Sequence, residues 1–326
     1  MADHRIRTGA ALACIIALCM GTGHAWAQTF PTKPLRSISP YAPGGGNDII
    51  SRAIAPRLGA QLGQQVIVEN KPGANTIIGT ELLAKSPPDG YNIILLPSSL
   101  TINPHLYEKL PYDTLNDFTP ISMVGMAPLM LAANASSSLK TLKDVIAAAK
   151  AKPGELTYST AGAGGSGHLA GGLLAMSTGI QLQHVPYKGS APAATALLAN
   201  EVALSFSPPA NLLTMVRAGK LVAIGMSGER RSAVAPDVST IAESGVPGYE
   251  ASLWYGYLGP AKLPRDVLQR LNAALVAVIG DKGLQEVLSK QGIDPFSSTP
   301  EQFAKVIAED IRKWGPVVKA TGVKAE

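Results

Sequence analysis

Cysteine is nearly absent from this sequence. The only two in 326 residues are Cys14 and Cys19, and both lie in the first apolar stretch. If that stretch is removed on export, as expected below, the rest of the chain has no thiol for a disulfide, a thiolate nucleophile or a metal. Histidine is also scarce, since only His105, His168 and His184 follow residue 27, and their spacing matches no common metal signature. We therefore expect no metal site and no cofactor held by cysteine.

Aromatic residues make up only 5% of the chain, and charged residues only 16%. The formal net charge is +5, but the basic residues form only small groups such as Lys140–Lys143 and Arg230–Arg231. A nucleic-acid surface needs clustered cations, and a platform for single strands needs aromatic rings for stacking. We therefore expect no nucleic-acid partner. The hydrophobic share of 46% is enough to bury a core, and the length fits two domains.

Long hydrophobic runs are also scarce. The apolar run Thr8–Met20 is shorter than the roughly 20 residues that a membrane-spanning helix needs. It follows Arg5 and Arg7 and precedes the small residues of Ala25-Trp26-Ala27. This order of a positive region, an apolar region and small residues is typical of a secretory signal peptide. We therefore expect residues 1–27 to be a signal peptide that is cleaved near Ala27.

Beyond that segment, short β-rich runs alternate with amphipathic helix patterns. The runs predicted as strands are Leu35–Pro40, Gln65–Glu69, Tyr91–Leu96, Leu129–Ala133, Leu156–Ser159, Gln183–Pro186, Ala203–Phe206, Leu221–Met226 and Leu253–Leu258. Short strands separated by helices of about ten residues predict parallel sheets that are covered on both faces. The chain is therefore predicted to belong to the α/β class.

The alternation restarts near residue 128, and the chain is mostly helical after residue 258. A helical block with one strand cannot close a sheet by itself, so we expect it to pack back onto the first domain. The predicted domains are lobe 1, residues 28–125 together with 252–326, and lobe 2, residues 126–251. Two lobes that the chain connects twice form a hinged cleft, and ligands favour such clefts.

Glycine-rich turns precede several of the predicted helices. Gly162–Gly167 satisfies the pattern GxGxxG, but no Asp or Glu lies between Glu155 and Glu201 to hold a ribose hydroxyl. We therefore expect no dinucleotide cofactor. The same turn exposes backbone N–H groups at a helix N-terminus, and this arrangement favours the binding of an anion. Similar turns occur at Pro43–Asp48 and Tyr187–Ser190. Neutral donors together with Lys188 suit the carboxylates of a small acid.

Motifs typical of common enzymes are missing, since the sequence has no G-x-S-x-G, P-loop or H-E-x-x-H. Ser166 and His168 follow a glycine turn closely enough to be considered as a hydrolytic pair. The alternative interpretation is that His168 faces a ligand or donates a hydrogen bond at the start of its helix. We favour the second interpretation and keep a serine-dependent hydrolase as the alternative.

A set of motifs in sequence order resembles the Bug-type solute-binding proteins, the periplasmic receptors of tripartite tricarboxylate transporters. The motifs are Phe30–Arg36, Pro43–Asp48, Val68–Ala74, Pro88–Tyr91, Asn103-Pro104, Asp117–Pro120, Ala161-Gly162, His168–Gly171, Val185–Gly189, Ala242–Gly245, Pro247–Glu250 and Trp254–Gly256. Together they span almost the whole chain after residue 27. The loop between Ala161 and His168 departs from the pattern of the family by its extra glycines.

The resemblance implies a type II periplasmic-binding-protein fold, in which two doubly wound lobes joined by two crossover segments hold a ligand in the cleft between them. It also implies a set of ligand-binding residues in loops of both lobes. These are Tyr41, Pro43, Gly44, Gly45, Gly46, Asn47, Asp48, Ser98, Ser99, Ser159, Thr160, Ala161, Gly162, Ser166, His168, Tyr187, Lys188, Gly189 and Ser207. The serines rest mainly on the resemblance, whereas the glycine turns and Lys188 also follow from the residues themselves.

The function implied by the resemblance is binding without catalysis. A small carboxylated solute is expected to bridge the lobes of a periplasmic monomer, which then delivers it to the permease subunits of a membrane transporter. No cofactor is expected. Two alternatives stay open at this point: the hydrolase that uses Ser166 and His168, and a ligand-sensing receptor for a membrane signalling partner.

Overall fold

The computed structural model describes residues 30–323, so the expected signal peptide, residues 1–27, lies outside the described residues. A compact unit begins at Lys33 and contains two mixed β-sheets flanked by helices. Within residues 30–323, no helix combines the length and the apolar character that crossing a membrane requires.

The first sheet has six strands. Numbered in chain order, they are β1 (Leu35–Ser39), β2 (Val66–Asn70), β3 (Asn92–Pro97), β4 (Phe118–Ala127), β10 (Leu253–Pro260) and β11 (Asp294–Pro295). Their order across the sheet is β11-β4-β10-β3-β1-β2. β1 runs parallel to both β2 and β3, whereas β10 runs antiparallel to both β3 and β4.

The second sheet has five strands. They are β5 (Met130–Asn134), β6 (Thr157–Thr160), β7 (Gln183–Pro186), β8 (Leu204–Ser207) and β9 (Leu221–Met226). Their order is β7-β6-β8-β5-β9, in which β6 is parallel to both β7 and β8, and β5 is antiparallel to both β8 and β9. The second sheet therefore repeats the plan of the first, with β6 in the place of β1 and β5 in the place of β10.

The helices repeat in the same way. They are α1 (Gly46–Leu62), α2 (Ile77–Ala84), α3 (Ser99–Leu106), α4 (Leu142–Ala151), α5 (Ser166–Thr178), α6 (Ser190–Leu198), α7 (Pro209–Arg217), α8 (Arg265–Ile279), α9 (Lys282–Lys290) and α10 (Pro300–Thr321). Helices α1, α2 and α3 follow β1, β2 and β3, and α5, α6 and α7 follow β6, β7 and β8. Each sheet therefore presents three helix N-termini near the carboxyl ends of its parallel strands.

The chain passes between the sheets twice, from β4 to β5 and from β9 to β10. The strand that enters each sheet, β5 or β10, is the one that runs antiparallel to its neighbours. The prediction of parallel sheets was therefore wrong for these two strands. A parallel neighbour needs a crossover helix to return the chain to the starting edge, and neither entering strand follows such a helix.

Four elements were not predicted: β4, β11, α3 and α9. Pro120 and Gly125 lie inside β4, and Pro104 lies inside α3, so both segments carry residues that usually mark turns. Gly125 is needed where it lies, because a Cβ there would overlap the side chain of Ile293 and the backbone of Asp294 on the approach to β11. Tertiary packing decides β4, β11 and α3, which sequence periodicity does not show. Helix α9 does carry a signal that the sequence analysis missed, because Asp281 caps it and Leu284 and Leu288 are buried at helical spacing.

The C-terminal helix α10 packs against both sheets. The Thr299 side chain accepts the Gln302 N–H at 3.2 Å, and the Gln302 side chain accepts the Thr299 N–H at 2.9 Å, which confirms the predicted cap. Phe303 lies in the core of the first sheet, whereas Trp314 and Val317 lie in the core of the second. The C-terminal segment was expected to pack back onto the first domain, and α10 also contacts the core of the second sheet. The exact lobe boundaries stay a prediction.

Candidate functional site

Two equivalent glycine loops follow β1 and β6, the middle strands of the three parallel strands in each sheet. The first loop (residues 41–48) joins β1 to α1, and the second loop (residues 161–168) joins β6 to α5. Gly44 and Gly164 have φ values of +80° and +72°, a left-handed conformation that favours glycine. The residues that cap the helices, Gly45 and Gly165, are both extended, with ψ values of 163° and 170°. The two loops therefore bring their chains into the helices with the same backbone geometry.

Asp48 holds the first loop in shape. Its carboxylate accepts the Gly44 N–H at 2.9 Å, the Asn70 side-chain amide at 2.8 Å and the Arg52 Nε–H at 3.0 Å. Burial of the Asp48 carboxyl raises its pKa. The hydrogen bonds from Arg52, Gly44 and Asn70 together lower the pKa by more than burial raises it, so the net pKa is below its ordinary value. Asp48 is thus an ionised anchor for the loop, and the N–H of Gly44 is committed to it.

His168 occupies the same position in the second loop. Its Nδ1 accepts the Gly164 N–H at 3.2 Å, and its ring stacks on the ring of His184 with 3.7 Å between the centroids. Burial lowers the pKa of His168, and burial together with the neighbouring His168 ring lowers the pKa of His184 to about 4. Both imidazoles are therefore neutral near pH 7. Sequence analysis gave His168 as a residue that faces a ligand or donates a hydrogen bond; its Nδ1 accepts from Gly164, and a contact of His168 with a ligand stays a prediction.

The starts of α1 and α5 leave backbone donors free. The first helical bond of α1 runs from the Ile49 N–H to the Gly45 carbonyl, and that of α5 runs from the Leu169 N–H to the Gly165 carbonyl. The N–H groups of the first three residues of each helix have no acceptor within the helix. The Asn47 side chain accepts from Ser39 Oγ at 2.9 Å and donates to the Leu95 carbonyl, which fixes α1 on β1 and β3.

A cavity of about 310 Å³ lies where these two helix N-termini meet. It is bounded by both glycine loops and by residues near the carboxyl end of β3 and in β10. Its lining residues are Tyr41, Gly45, Gly46, Asn47, Asn75, Pro97, Ser99, Ile102, Gly164, Gly165, Ser166, Leu253 and Tyr255. No Asp, Glu, Lys or Arg belongs to this lining. The cavity therefore offers neutral donors and two helix N-termini, an arrangement that favours a small anion.

The polar wall of the cavity includes two tyrosines and a serine. Burial and the neighbouring Tyr255 raise the pKa of Tyr41 to about 12, although a hydrogen bond with Ser99 acts in the opposite direction. Burial also raises the pKa of Tyr255. Both phenols therefore stay protonated near pH 7 and can donate a hydrogen bond. Sequence analysis included Tyr41 and Ser99 but missed Tyr255, although it lies in the Trp254–Gly256 motif.

Asn75, also missed from sequence, lies in an unusual stretch of backbone. Ala74, Asn75 and Thr76 all have positive φ values, of 44°, 46° and 77°. This conformation is costly for residues other than glycine, most of all for the β-branched Thr76, and such strain is concentrated at functional sites. Asn75 donates to Asn103 Oδ1 at 2.8 Å, and its carbonyl accepts from Asn103 Nδ2 at 2.9 Å. These bonds tie the strained turn to α3 at the edge of the cavity.

The predicted site residues fall into two groups. Those that line the cavity are Tyr41, Gly45, Gly46, Asn47, Ser99 and Ser166. The others lie outside its lining: Pro43, Gly44, Asp48, Ser98, Ser159, Thr160, Ala161, Gly162, His168, Tyr187, Lys188, Gly189 and Ser207. Whether each of the nineteen residues contacts a ligand stays a prediction.

Several residues of the second group are engaged elsewhere. Ser159 Oγ donates to the Ala193 carbonyl at 3.1 Å, and Ser207 Oγ is bonded to Ser205 Oγ at 3.0 Å. In the third glycine turn, the Gly189 N–H donates to the Ala161 carbonyl at 3.0 Å, and Lys188 is exposed. This turn therefore has one backbone N–H fewer to offer an anion.

Ser166 and His168 do not form the contact that a nucleophile and its base require. They lie two positions apart at the start of α5, where side chains do not face each other. Among the described hydrogen bonds, none joins the two side chains, and His168 Nδ1 is bonded to the Gly164 N–H. A hydrogen bond between nucleophile and base is the geometric mark of such a pair. Within residues 30–323, no group of three or more metal-binding side chains is close enough to hold a metal ion.

Comparison with known proteins gives a consistent match. The family model described as "Tripartite tricarboxylate transporter family receptor" matches residues 50–323. Protein BugT of Bordetella pertussis is 37% identical over 300 residues, which cover 91% of this chain and 92% of BugT.

Solved structures agree with the sequence match. A TctC solute-binding protein from Polaromonas, solved without ligand, superposes with a TM-score of 0.82 at 28% identity, covering 89% of this chain and 99% of that one. A Rhodopseudomonas palustris protein solved with adipate superposes with a TM-score of 0.71 at 30% identity, covering 90% of this chain and 99% of that one. MatC from the same species, with bound malate, superposes with a TM-score of 0.67 at 27% identity, covering 89% of this chain and 100% of that one.

Proposed function

This chain belongs to the tripartite tricarboxylate transporter receptor family, and we propose that it captures a small dicarboxylate in the periplasm and delivers it to the permease of such a transporter. Its family is one of solute-binding receptors, and its two-lobed fold is that of the TctC and BugD periplasmic binding proteins. The observation that carries the proposal is the cavity on which the N-termini of α1 and α5 converge.

The chemistry of the cavity favours carboxylates over other small solutes. Each helix N-terminus attracts an anion by about 0.3–2 kcal/mol, depending on burial. Phosphate recognition usually employs Arg in a bidentate contact, and no Arg belongs to the lining. The volume of about 310 Å³ suits a small solute. Adipate and malate, found in two structural relatives, are both dicarboxylates of this size class.

Two helix N-termini in one cavity support a ligand with two carboxylates, one near each helix. In such a complex the ligand would contact loops that follow β1 in one sheet and β6 in the other. A ligand of this kind binds the closed arrangement of the lobes better than the open one, so it shifts the protein towards closure by that difference in affinity. The closed form would then be the one that the permease recognises.

The proposal is tested by placing a negative charge at the start of α1. We expect Gly46→Asp to weaken dicarboxylate binding at least about tenfold, because like charges close together in a protein repel by several kcal/mol. The unliganded fold should be retained, since an acidic residue in the first turn stabilises a helix. Gly46→Ala is the matched control, because the nearest atom to its added Cβ is Gln291 Oε1 at 3.9 Å.

Binding is measured by isothermal titration and by thermal shift against mono-, di- and tricarboxylates. Wild type and Gly46→Ala should bind a dicarboxylate and show a raised Tm, whereas Gly46→Asp should not. The proposed site is wrong if Gly46→Asp binds as tightly as wild type. The proposed ligand class is wrong if no carboxylate raises the Tm of the wild-type protein.

Delivery is tested separately, with the cognate permease in proteoliposomes. Uptake of a radiolabelled dicarboxylate should require the receptor, and Gly46→Asp should not support it. If uptake is equal with and without the receptor, the protein binds the solute for another purpose, such as signalling.

A further inference from the structure

Each of the two glycine loops is held by an equivalent hydrogen bond, but the acceptor residue differs between them. In the first loop the Gly44 N–H donates to Asp48, and in the second the Gly164 N–H donates to His168, four residues later in each case. The donor–acceptor distances are 2.9 Å and 3.2 Å, and both acceptors are the third residue of their helix. Each bond fixes the left-handed glycine that precedes the helix cap.

The difference between the acceptors has a structural reason. The charge of Asp48 is compensated by Arg52, one helical turn later. One turn after His168 the chain has Gly172, and a Cβ there would overlap the side chain of Thr321 on α10. The second loop has no room for a compensating cation at that place, and it uses a neutral acceptor instead. Asp48 is ionised near pH 7, whereas that acceptor is neutral there and becomes positively charged when it gains a proton.

The surroundings of His168 keep it neutral. His184 on β7 stacks on its ring, and the Tyr158 hydroxyl on β6 donates to its backbone carbonyl at 3.2 Å. His184 Nε2 lies 2.7 Å from Thr160 Oγ1, which also donates to the Gly162 carbonyl at 3.0 Å. Among the described residues, no charged side chain contacts either ring. The pair is thus bonded directly to Gly164 and, through Thr160, to Gly162.

We propose that neutral His168 is the positioning residue that holds the second glycine loop in its ligand-binding shape, and that protonation of the His168–His184 pair loosens this loop and releases the ligand. The ligand part of the inference rests on the proposed function. A protonated Nδ1 carries a hydrogen and cannot accept the Gly164 N–H. The loop would then lose the bond that fixes its left-handed glycine.

The direction of the pH effect follows from the depressed pKa values. Both rings have pKa values below 6.5 in the folded protein, and that of His184 is about 4. The unfolded chain therefore takes up protons first, so the ordered loop is stable above pH 6.5 and loses stability as the pH falls from there. Ligand affinity should decline over the same interval, whereas the first loop, anchored by an ionised Asp48, should not change there.

Two variants separate the acceptor from the ring. His168→Asn places an amide oxygen close to the position of Nδ1 and does not titrate, whereas His168→Leu removes the acceptor. The first measurement needs no ligand: amide exchange of Gly164 in ¹⁵N-labelled protein at pH 7. We expect amide exchange of Gly164 to be about fivefold to tenfold faster in His168→Leu, because this variant loses one hydrogen bond that protects the amide. Exchange in His168→Asn should be close to that of wild type. Thermal unfolding of both variants shows that they are folded.

The second measurement is adipate affinity at pH 7.5 and pH 5, calculated for the adipate dianion, because adipate is itself partly protonated at pH 5. On this basis wild type should bind at least fivefold more weakly at pH 5, and His168→Asn should lose most of this dependence. Equal Gly164 exchange in all three proteins would overturn the positioning role. An unchanged pH dependence in His168→Asn would overturn the switch. If wild type binds no adipate at either pH, the proposed ligand fails, while the exchange result still decides whether His168 positions the loop.

Discussion

Single buried polar residues decide the shape of this site. Asp48 lies behind the first glycine loop, with 4% of its side chain exposed, and its four hydrogen bonds join the loop, α1 and β2. Asn47 connects the same helix to β1 and β3. Because these partners fix the backbone, the N–H groups at the start of α1 are aimed before any ligand arrives, which lowers the entropic cost of binding.

We predict that Asp48→Asn lowers the free energy of unfolding at pH 7 by about 1–3 kcal/mol, because the amide cannot replace the charged hydrogen bond to Arg52. The folded pKa of Asp48 is below 3.8, so its contribution is fully present above that pH and is lost as the pH falls through the folded pKa. Urea unfolding at pH 7 and pH 2.5 measures the difference between the two proteins. That difference should shrink at pH 2.5, and a constant difference would contradict the assignment.

At the residue scale, the sequence predicted what depends on local backbone chemistry. Glycine is the residue that adopts positive φ easily, so the turns at Gly44 and Gly164 could be recognised from the residue types in the sequence alone. Tyr255 and Asn75 could not be recognised in this way. Tyr255 reaches the cavity through the pairing of β10 with β3, and Asn75 through a strained turn, and both depend on contacts distant in sequence.

At the scale of elements, α10 connects the site to the region between the sheets. Asp310 accepts the Trp254 Nε1–H at 2.7 Å, beside the cavity residues Leu253 and Tyr255. Lys313 lies 2.8 Å from both Asp310 and Glu250, the second of which lies in the segment that leads back to the first sheet. Burial lowers the pKa of Lys313. The charges of Glu250 and Asp310 together raise the pKa by more than burial lowers it, so its net pKa is above the ordinary value.

We predict that Asp310→Ala lowers the free energy of unfolding by about 1–3 kcal/mol, because it leaves the buried Trp254 N–H without its acceptor and removes one of the two carboxylates that Lys313 contacts. Glu309→Ala on the same helix is the matched control. Its ion pair with Lys305 is exposed and 3.7 Å long, so the loss should be below about 1 kcal/mol. Denaturant unfolding of both variants tests this, and equal losses would show that the buried network adds nothing.

Most elements with a clear period were predicted, α9 being the exception, and the interrupted strand β4 was not. The strands β7 and β9 begin and end at the predicted residues, and α10 begins at its predicted cap. The strand β4 escaped prediction because it contains Pro120 and Gly125. Its pairing with β10 also includes two register irregularities, which no alternation of polar and apolar residues would show.

At the scale of the whole molecule, the function follows from a repeated plan. Each sheet places a helix N-terminus after its central parallel strand, and the chain passes between the sheets twice. The α/β class and the two halves could be predicted from the alternation of short strands and helices. The antiparallel entry of β5 and β10 could not be predicted, since strand direction depends on the path between the sheets rather than on residues within a strand.

The convergence of α1 and α5 on one ligand is tested most directly by a crystal structure of the mature protein with adipate. We predict carboxylate oxygens within about 2.7–3.2 Å of backbone N–H groups at the start of both helices, among Gly46, Asn47, Ser166 and Gly167. A ligand that contacts only one of the two helices, or that occupies a cavity elsewhere on the molecule, would contradict the account.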